Sequence, residues 1–134
     1  MTATVLHIDG GARGNPGPAG WGVVVLDSDG RPAVELSGTL PHATNNVAEY
    51  HGLLAALEWC VSQGVARAAI KSDSLLLVQQ MRGVYRVKHE GLKPLYLKAR
   101  VLVMQIGDVS FEHVRREHNK EADRLSNVGM DGNT

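Results

Sequence analysis

Three strand-like segments follow one another at the start of the sequence, before any segment with helical periodicity. Residues 4–9, 21–26 and 32–40 are rich in apolar and β-branched side chains, as strands of a half-buried sheet are. Turn-forming residues separate them, at 10–18 and again at 27–31. This order predicts an antiparallel meander, and it restricts the chain to folds in which a sheet forms first and helices are added later.

The remainder of the chain alternates between helical and strand-like patterns. Thr44 fits a helix N-cap, apolar residues then recur at helical spacing, and Gly64 fits the C-terminal stop. We expect the other helices at 74–81, 91–106 and 119–128, and the other strands at 66–71 and 109–114. The order β-β-β-α-β-α-α-β-α predicts an α/β fold with a mixed sheet flanked by helices.

Length and composition exclude several classes of protein. A chain of 134 residues fits one domain, and we expect residues 1–134 to form it. No apolar run approaches the roughly 18 residues of a membrane span. The first residues lack the basic and then apolar pattern of a signal peptide. Cys60 is the single cysteine, so an intrachain disulfide is impossible, and we expect a reducing cytoplasm.

The charges balance overall but are unevenly placed. Fourteen basic and fourteen acidic residues give a formal net charge of zero, which argues against binding of nucleic acid by bulk charge alone. Residues 82–100 hold six basic residues and one acid, Glu90. This stretch is either a docking surface for a polyanion or a solvated helix face, and its spacing favours the solvated face.

Four acids lie where a sheet of this kind binds ligands or beside small and apolar residues. Asp9 closes the first strand and Asp73 follows the fourth, and ligands bind at the carboxyl ends of strands in open α/β sheets. Glu49 lies in the first turns of a helix, and Asp123 lies near the start of the last one. If the fold gathers them, hard oxygen ligands select Mg²⁺ or Mn²⁺. Each acid taken alone is more typical of a turn, a cap or a solvated helix than of a metal site.

Four segments, taken together and in this order, resemble the type 1 ribonuclease H family: DGGARGNPGPAGWG from 9, TNNVAE from 44, SDS from 72 and REHNKEADRL from 116. The resemblance implies the ribonuclease H-like fold, a five-stranded mixed sheet. It makes Asp9, Glu49, Asp73 and Asp123 the metal-binding and catalytic carboxylates. The implied reaction is hydrolysis of the RNA strand of an RNA–DNA hybrid with two Mg²⁺ ions, or Mn²⁺ in their place, leaving 5′-phosphate and 3′-hydroxyl ends.

The same resemblance places a set of loop and helix-start residues against the hybrid. Glycine lets backbone approach a sugar–phosphate chain, and asparagine suits the 2′-hydroxyl that distinguishes RNA from DNA. A helix start suits a phosphate, although helix capping explains the same residues. The expected contacts are Gly10, Gly11, Asn15, Thr44, Asn45, Asn46, Ser74, Gln79 and Asn119. For Gln79, an exposed helix position is an equally good interpretation.

Two features depart from the better-known bacterial members of that family. Residues 81–92 lead almost directly into the next helix, so the basic protrusion is missing, as in the short subgroup of the family. Arg86, Lys88 and Lys93 are candidates to replace it in part. The loop before the last acidic helix is also short, which leaves His118 and Glu117 as candidates for proton transfer or product release, or as ordinary exposed loop residues.

Other functions stay open at this stage. A noncatalytic hybrid-binding module is one, and a nuclease of the same fold acting mainly on double-stranded RNA or on a Holliday junction is another. A glycosidase with paired carboxylates would need aromatic platforms, and only 4% of the residues are aromatic. The expected partner is the hybrid, with no membrane, no obligate protein partner and a monomeric state.

Overall fold

Five strands form one mixed sheet in the computed structural model, which describes residues 2–132. Their order across the sheet is β3–β2–β1–β4–β5. The strands β1, β2 and β3 pair antiparallel, whereas β4 pairs parallel with both β1 and β5. This arrangement confirms the predicted five-stranded mixed sheet. The bounds are β1 Thr4–Ala12, β2 Gly17–Leu26, β3 Pro32–Ala43, β4 Arg67–Ser72 and β5 Asp108–His113.

Within residues 2–132, four α-helices complete the fold in the predicted order. They are α1 Asn45–Ser62, α2 Leu75–Met81, α3 Lys93–Ile106 and α4 Lys120–Asp131, and a single 3₁₀ turn, Arg116–His118, precedes α4. The Thr44 hydroxyl accepts a hydrogen bond from the Val47 amide at 3.2 Å, which is the predicted N-cap of α1. None of the helices between residues 2 and 132 has the length and apolar character needed to cross a membrane.

The first strands are longer than predicted. Residues 10–12 continue β1 beyond Asp9, because Gly10 to Ala12 pair with Trp21 to Ala19 of β2. Likewise β2 begins at Gly17, not at residue 21, and β3 runs to Ala43, not to residue 40. Glycine has little intrinsic preference for strands, but pairing with a neighbouring strand overrides that preference. Asp9 therefore lies inside an antiparallel ladder, whereas Asp73 follows the end of β4 as expected.

The two faces of the sheet carry cores of different size. Leu6 and Ile8 of β1 pack with Leu53 and Leu57 of α1 in the main core, to which α2 and α3 also contribute. On the opposite face α4 packs through a smaller apolar cluster of Val24, Ala122 and Leu125. Cys60 is fully buried in the main core and behaves as the expected small apolar side chain.

Glycine brings both of the helices that carry predicted acids into backbone contact with the central strands. A Cβ atom on Gly10 would lie 2.4 Å from the Ala48 carbonyl carbon of α1. A Cβ atom on Gly22 of β2 would lie 2.5 Å from the Ala122 carbonyl oxygen of α4. Both distances are far shorter than van der Waals contact, so any larger residue would push a helix away from the sheet.

We predict that Gly10→Ala lowers the free energy of unfolding by about 3 kcal/mol, the upper part of the range for overpacking, because backbone atoms cannot rotate away. Urea denaturation measures this. Gly11→Ala is the matched control, since its Cβ would meet the Met130 side chain at 3.4 Å and Asn45 Oδ1 at 3.9 Å, both ordinary contacts. Equal stability of the two variants would contradict the close approach of α1 to β1.

Candidate active site

The register of β1 and β4 sets Asp9 beside Asp73. The parallel pairing aligns Ile8 of β1 with Ser72 of β4, and the residue that follows each of them is an aspartate, Asp9 or Asp73. The turn at Asp73 is fixed locally, because the Ser72 hydroxyl accepts a hydrogen bond from the Ser74 amide at 3.0 Å. On its other side, the His113 ring Nε2 lies 3.2 Å from the Asp73 carbonyl oxygen. The two central strands thus deliver two carboxylates to one point.

Glu49 reaches the same point from α1. One carboxylate oxygen of each of Asp9, Glu49 and Asp73 lies within 4.8 Å of the other two. The Ser74 side chain, which also caps α2, hydrogen-bonds to the Glu49 carboxylate. Three residues that are 40 and 24 positions apart along the chain therefore form one compact group of acids.

Asp123 completes the set from α4, on the other side of the central strands. Its carboxyl group interacts with that of Asp9, as a hydrogen bond when one of the two holds a proton, and all four carboxylates line one open cleft of about 410 Å³. The lining of this cleft is Asp9, Gly10, Gly11, Asn45, Asn46, Glu49, Asp73, Arg116, Asp123, Ser126, Asn127 and Met130. The four predicted acids are thus brought together, with Asp123 outside the tightest group of three.

Burial and mutual repulsion raise the pKa values of these acids. Burial raises the pKa of Asp9 to about 8, with further contributions from the charges of Asp73 and Glu49 and from the bond to Asp123, against a lowering by the Gly10 amide. Burial and then Asp73 raise the pKa of Glu49 to about 7. A divalent cation would remove this repulsion, and an all-oxygen set of ligands suits Mg²⁺ or Mn²⁺ better than Zn²⁺.

Arg116 is a functional candidate that the sequence did not single out. It lies in the 3₁₀ turn before α4, lines the acidic cleft, and its charge lowers the pKa of Glu49. Arg115, its neighbour, is exposed and lies 3.8 Å from Glu117. Nothing in the local sequence distinguishes the two arginines, because the turn geometry alone decides which one faces the cleft.

Four of the nine predicted groove residues line the cleft beside the carboxylates. Gly10, Gly11, Asn45 and Asn46 line the cleft itself, and Asn46 also borders a second depression with Asn15, Thr44, His89 and Leu92. A hydrogen bond joins the loop between β1 and β2 to the start of α1, since Asn15 Oδ1 accepts from the Asn45 amide at 2.9 Å. Asn45 Oδ1 in turn accepts from the Ala12 amide at 2.7 Å. Thr44, which borders the second depression, also caps α1.

Asn119 lies elsewhere than predicted. Its side chain is buried, with 1% of the residue exposed, and its amide nitrogen donates to the Ile8 carbonyl at 2.9 Å and to Asp73 Oδ2 at 3.3 Å. The Asn119 amide, which was expected to contact the groove of the hybrid, is therefore engaged by hydrogen bonds inside the protein. Ser74 likewise uses its hydroxyl within the protein, for Leu77 and Glu49. Gln79 is half-buried and does not line the cleft.

His118 and Glu117 are not brought to the carboxylates. Both are exposed and border a separate depression of about 260 Å³, together with His7. The reason is the 3₁₀ turn, which directs Arg116 toward the acids and the next two residues away from them. The structure thus supports the interpretation of His118 as an exposed loop histidine.

Much of the basic stretch 82–100 is engaged within the protein. Arg82 donates to the Phe111 carbonyl at 2.8 Å and Arg100 to the Met81 carbonyl at 3.0 Å. Lys93 pairs with Glu90, and Lys98 pairs with Glu58 of α1. Within residues 2–132, Arg86 and Lys88 are the two members of the stretch without an ion pair or side-chain hydrogen bond of this kind. Both are candidates for contact with a polyanion.

Comparison with known proteins agrees with this geometry. A family profile described as "Reverse transcriptase-like" matches residues 7–129. The ribonuclease HI of Halobacterium salinarum is 38% identical over 125 residues, or 93% of this chain and 63% of its own. The crystal structure of RNase H1 from that archaeon superposes with a TM-score of 0.92 at 37% identity, covering 98% of this chain and 99% of the solved one.

Two further relatives are similar at comparable identity. A bifunctional protein of Mycobacterium tuberculosis is 47% identical over 128 residues, and the solved N-terminal RNase H domain of that protein superposes with a TM-score of 0.94 over 99% of this chain and 96% of its own. The RNase H1 called LC11, isolated from compost, was solved in complex with an RNA/DNA hybrid. It is 41% identical, with a TM-score of 0.91 over 96% of this chain and 97% of its own. The chain spans about a third of the length of the mycobacterial relative, 35%.

The raised pKa values predict how the metal-free protein responds to pH. Between the ordinary carboxyl pKa near 4 and about 8, the folded chain keeps a proton on Asp9 that the unfolded chain has released, so unfolding releases a proton. We therefore expect the melting temperature to fall as the pH rises from about 5 to about 8. Calorimetry in the presence of a chelator measures this fall.

Asp9→Asn should flatten that dependence and raise the free energy of unfolding at pH 8 by about 1–2 kcal/mol, since it removes one member of the repelling group. Asp29→Asn, in the exposed turn between β2 and β3, is the control and should keep the wild-type slope. A wild-type slope in Asp9→Asn would show that Asp9 does not carry the shifted proton.

Proposed function

The chain belongs to the ribonuclease HI family, and on that premise we propose that it hydrolyses the RNA strand of RNA–DNA hybrids at the acidic cleft. The observation that carries the proposal is the approach of Asp9, Glu49 and Asp73 to within 4.8 Å, with Asp123 bordering the same cleft. Carboxylates at this spacing raise one another's pKa and destabilise the metal-free fold. Such destabilisation is typical of functional sites, here one that binds metal. The hybrid bound by the LC11 relative supports the choice of substrate.

We assign the four carboxylates to Mg²⁺, with Mn²⁺ as a substitute. The ligand set contains only oxygen, it is open to solvent on one side, and no histidine or cysteine lines the cleft among the described residues. When bound, two such ions supply activation of a water and stabilisation of the leaving oxygen of the phosphodiester. Cleavage would leave 5′-phosphate and 3′-hydroxyl ends.

The remaining residues of the cleft bind and orient the substrate in this proposal. The space of a Gly10 side chain is taken by α1, and Gly10 and Gly11 line the cleft with backbone, which would face a sugar–phosphate chain beside the acids. Asn45 and Asn46 offer amide groups where a 2′-hydroxyl would lie, which is the feature that distinguishes RNA from DNA. Arg116 provides positive charge next to Glu49, where a phosphate would approach the acids.

A panel of labelled substrates tests this function directly. We expect the purified chain with Mg²⁺ or Mn²⁺ to cleave an RNA–DNA hybrid and to leave the two DNA and RNA homoduplexes nearly intact. Preferential cleavage of double-stranded RNA or of a Holliday junction would identify a different nuclease of the same fold. Binding of the hybrid without metal and without cleavage would instead identify a noncatalytic module. Three expectations stay predictions: that residues 1–134 form one domain, that the chain is a monomer, and that it acts in the cytoplasm.

Asp9→Asn should reduce cleavage of the hybrid by more than the roughly 10–100-fold that is typical of outer-shell partners of a metal, because it removes a direct ligand. Single-turnover kinetics at saturating hybrid measure the loss. Asp29→Asn is again the matched control, with the same change of charge in a turn remote from the cleft, and should cleave at the wild-type rate. Activity of Asp9→Asn close to that of Asp29→Asn would refute the assignment.

Arg116→Gln should weaken binding of the hybrid and make it less dependent on salt. If the guanidinium contacts one phosphate, the slope of log K against log salt concentration should fall by about 0.7–0.9, the value of one released counterion. Arg115→Gln is the control, because Arg115 does not line the cleft. An unchanged slope for Arg116→Gln, measured by fluorescence anisotropy, would place the phosphates elsewhere.

A further inference from the structure

Asn119 occupies the N-cap position of α4 but does not cap the helix. Asparagine is among the best N-caps because its side chain can accept a bond from the first turn. Here α4 has no side-chain cap at all. The Asn119 side chain turns inward instead, where it is 1% exposed and bonded to Ile8, Asp73 and His7. A favourable local interaction has therefore been replaced by a contact with one of the four carboxylates.

The chemistry of its neighbours fixes the orientation of the Asn119 amide. The Ile8 carbonyl, 2.9 Å away, is an acceptor only, so it must face the NH₂ group. The same NH₂ group donates its second hydrogen toward Asp73 Oδ2 at 3.3 Å. Asn119 Oδ1 is left to accept, and the group facing it at 3.0 Å is His7 Nδ1. The His7 ring must then carry a hydrogen on Nδ1.

His7 supports this contact from the far side of the buried amide. It lies two residues before Asp9 in β1, on the same face of the strand, and it is half-buried. Its ring borders the separate depression near His118, away from the acidic cleft. Hydrogen bonds therefore run in one direction, from His7 through Asn119 to Asp73, and each member is held by the one before it.

We infer that His7 and Asn119 are positioning residues, which hold the Asp73 carboxylate in the orientation that binds metal. This inference rests on the proposed function of the cleft. Asp73 needs such support because it follows the end of β4 and is only partly buried, so the strand ladder does not fix its side chain. The bond from Asn119 engages Oδ2 and leaves Oδ1 free of that contact. Outer-shell partners of this kind orient ligands and tune their affinity for metal.

Nuclear magnetic resonance of the intact chain tests the direction of the hydrogen bonds. Long-range ¹H–¹⁵N correlations distinguish the two ring nitrogens of a histidine. We expect His7 to carry its hydrogen on Nδ1 and the Asn119 NH₂ resonances to shift in Asp73→Asn. A hydrogen on Nε2 alone, or an unshifted Asn119 amide, would overturn the inference.

Two substitutions of His7 separate positioning from packing. His7→Phe keeps a ring in the same space and removes the donor, and His7→Asn restores a donor near the position of Nδ1. We expect Mn²⁺ affinity, measured by calorimetry without nucleic acid, to weaken about 10-fold in His7→Phe and to recover in His7→Asn. The kcat for hybrid cleavage, corrected for the folded fraction of each variant measured by circular dichroism, should follow the same order while KM stays constant. The correction is needed because a loss of folded protein would also lower the apparent kcat.

His51→Phe is the matched control. His51 is also a half-buried histidine on α1, two residues after Glu49, but it borders a separate depression with Trp21 and Glu58 and does not line the acidic cleft. We expect the His51→Phe variant to bind Mn²⁺ with the affinity of the wild type. Equal Mn²⁺ affinity in His7→Phe, His51→Phe and the wild type would refute positioning by His7 while leaving the proposed function intact.

A wild-type chain that neither binds Mn²⁺ nor cleaves the hybrid would refute the proposed function and, with it, the role of Asp73 as the ligand being positioned. The magnetic resonance result distinguishes this outcome from a failure of the hydrogen-bonded chain itself. If His7→Phe misfolds, the wild-type spectra decide, since a His7 hydrogen on Nε2 alone would still overturn the inference.

Discussion

The acidic cleft depends on how closely two helices approach the central strands. Gly10 of β1 lets the backbone of α1 touch the sheet at Ala48, one residue before Glu49, and Gly22 of β2 lets α4 do the same at Ala122, one residue before Asp123. Both contacts join backbone to backbone, so side-chain rearrangement cannot adjust them. The parallel register of β1 and β4 supplies the other two acids. The four carboxylates meet because these three contacts fix α1 against β1, α4 against β2, and β4 beside β1.

Bringing the acids together opposes folding. Burial and repulsion raise the pKa of Asp9 to about 8 and of Glu49 to about 7, so the metal-free fold holds protons that an unfolded chain would release. The main apolar core between the sheet and α1, around Leu53 and Leu57, offsets that cost. The acids themselves are supported by hydrogen bonds, from Ser74 to Glu49 and from Asn119 to Asp73.

Local pattern predicted the elements well and their ends less well. The cap at Thr44 and the order of strands and helices follow from side-chain periodicity, which needs no tertiary contact. The extension of β1 through Gly10 to Ala12 was missed, because only pairing with β2 makes a glycine-rich segment a strand. Asn119 was expected at a groove and is buried, and Arg116 was overlooked, since both depend on the direction of one 3₁₀ turn.

The class of fold, the family and the four acids of the cleft follow from the amino-acid sequence, because four motifs in the order of the ribonuclease HI family identify them without coordinates. Which neighbours serve those acids follows only from the folded chain: Arg116 rather than His118 lies at the cleft, and Asn119 lies beneath Asp73 rather than on the surface. The physical reason is that a hydrogen bond or a charge acts over a few ångströms in space, and residues 112 positions apart, such as His7 and Asn119, become neighbours only when the chain has folded.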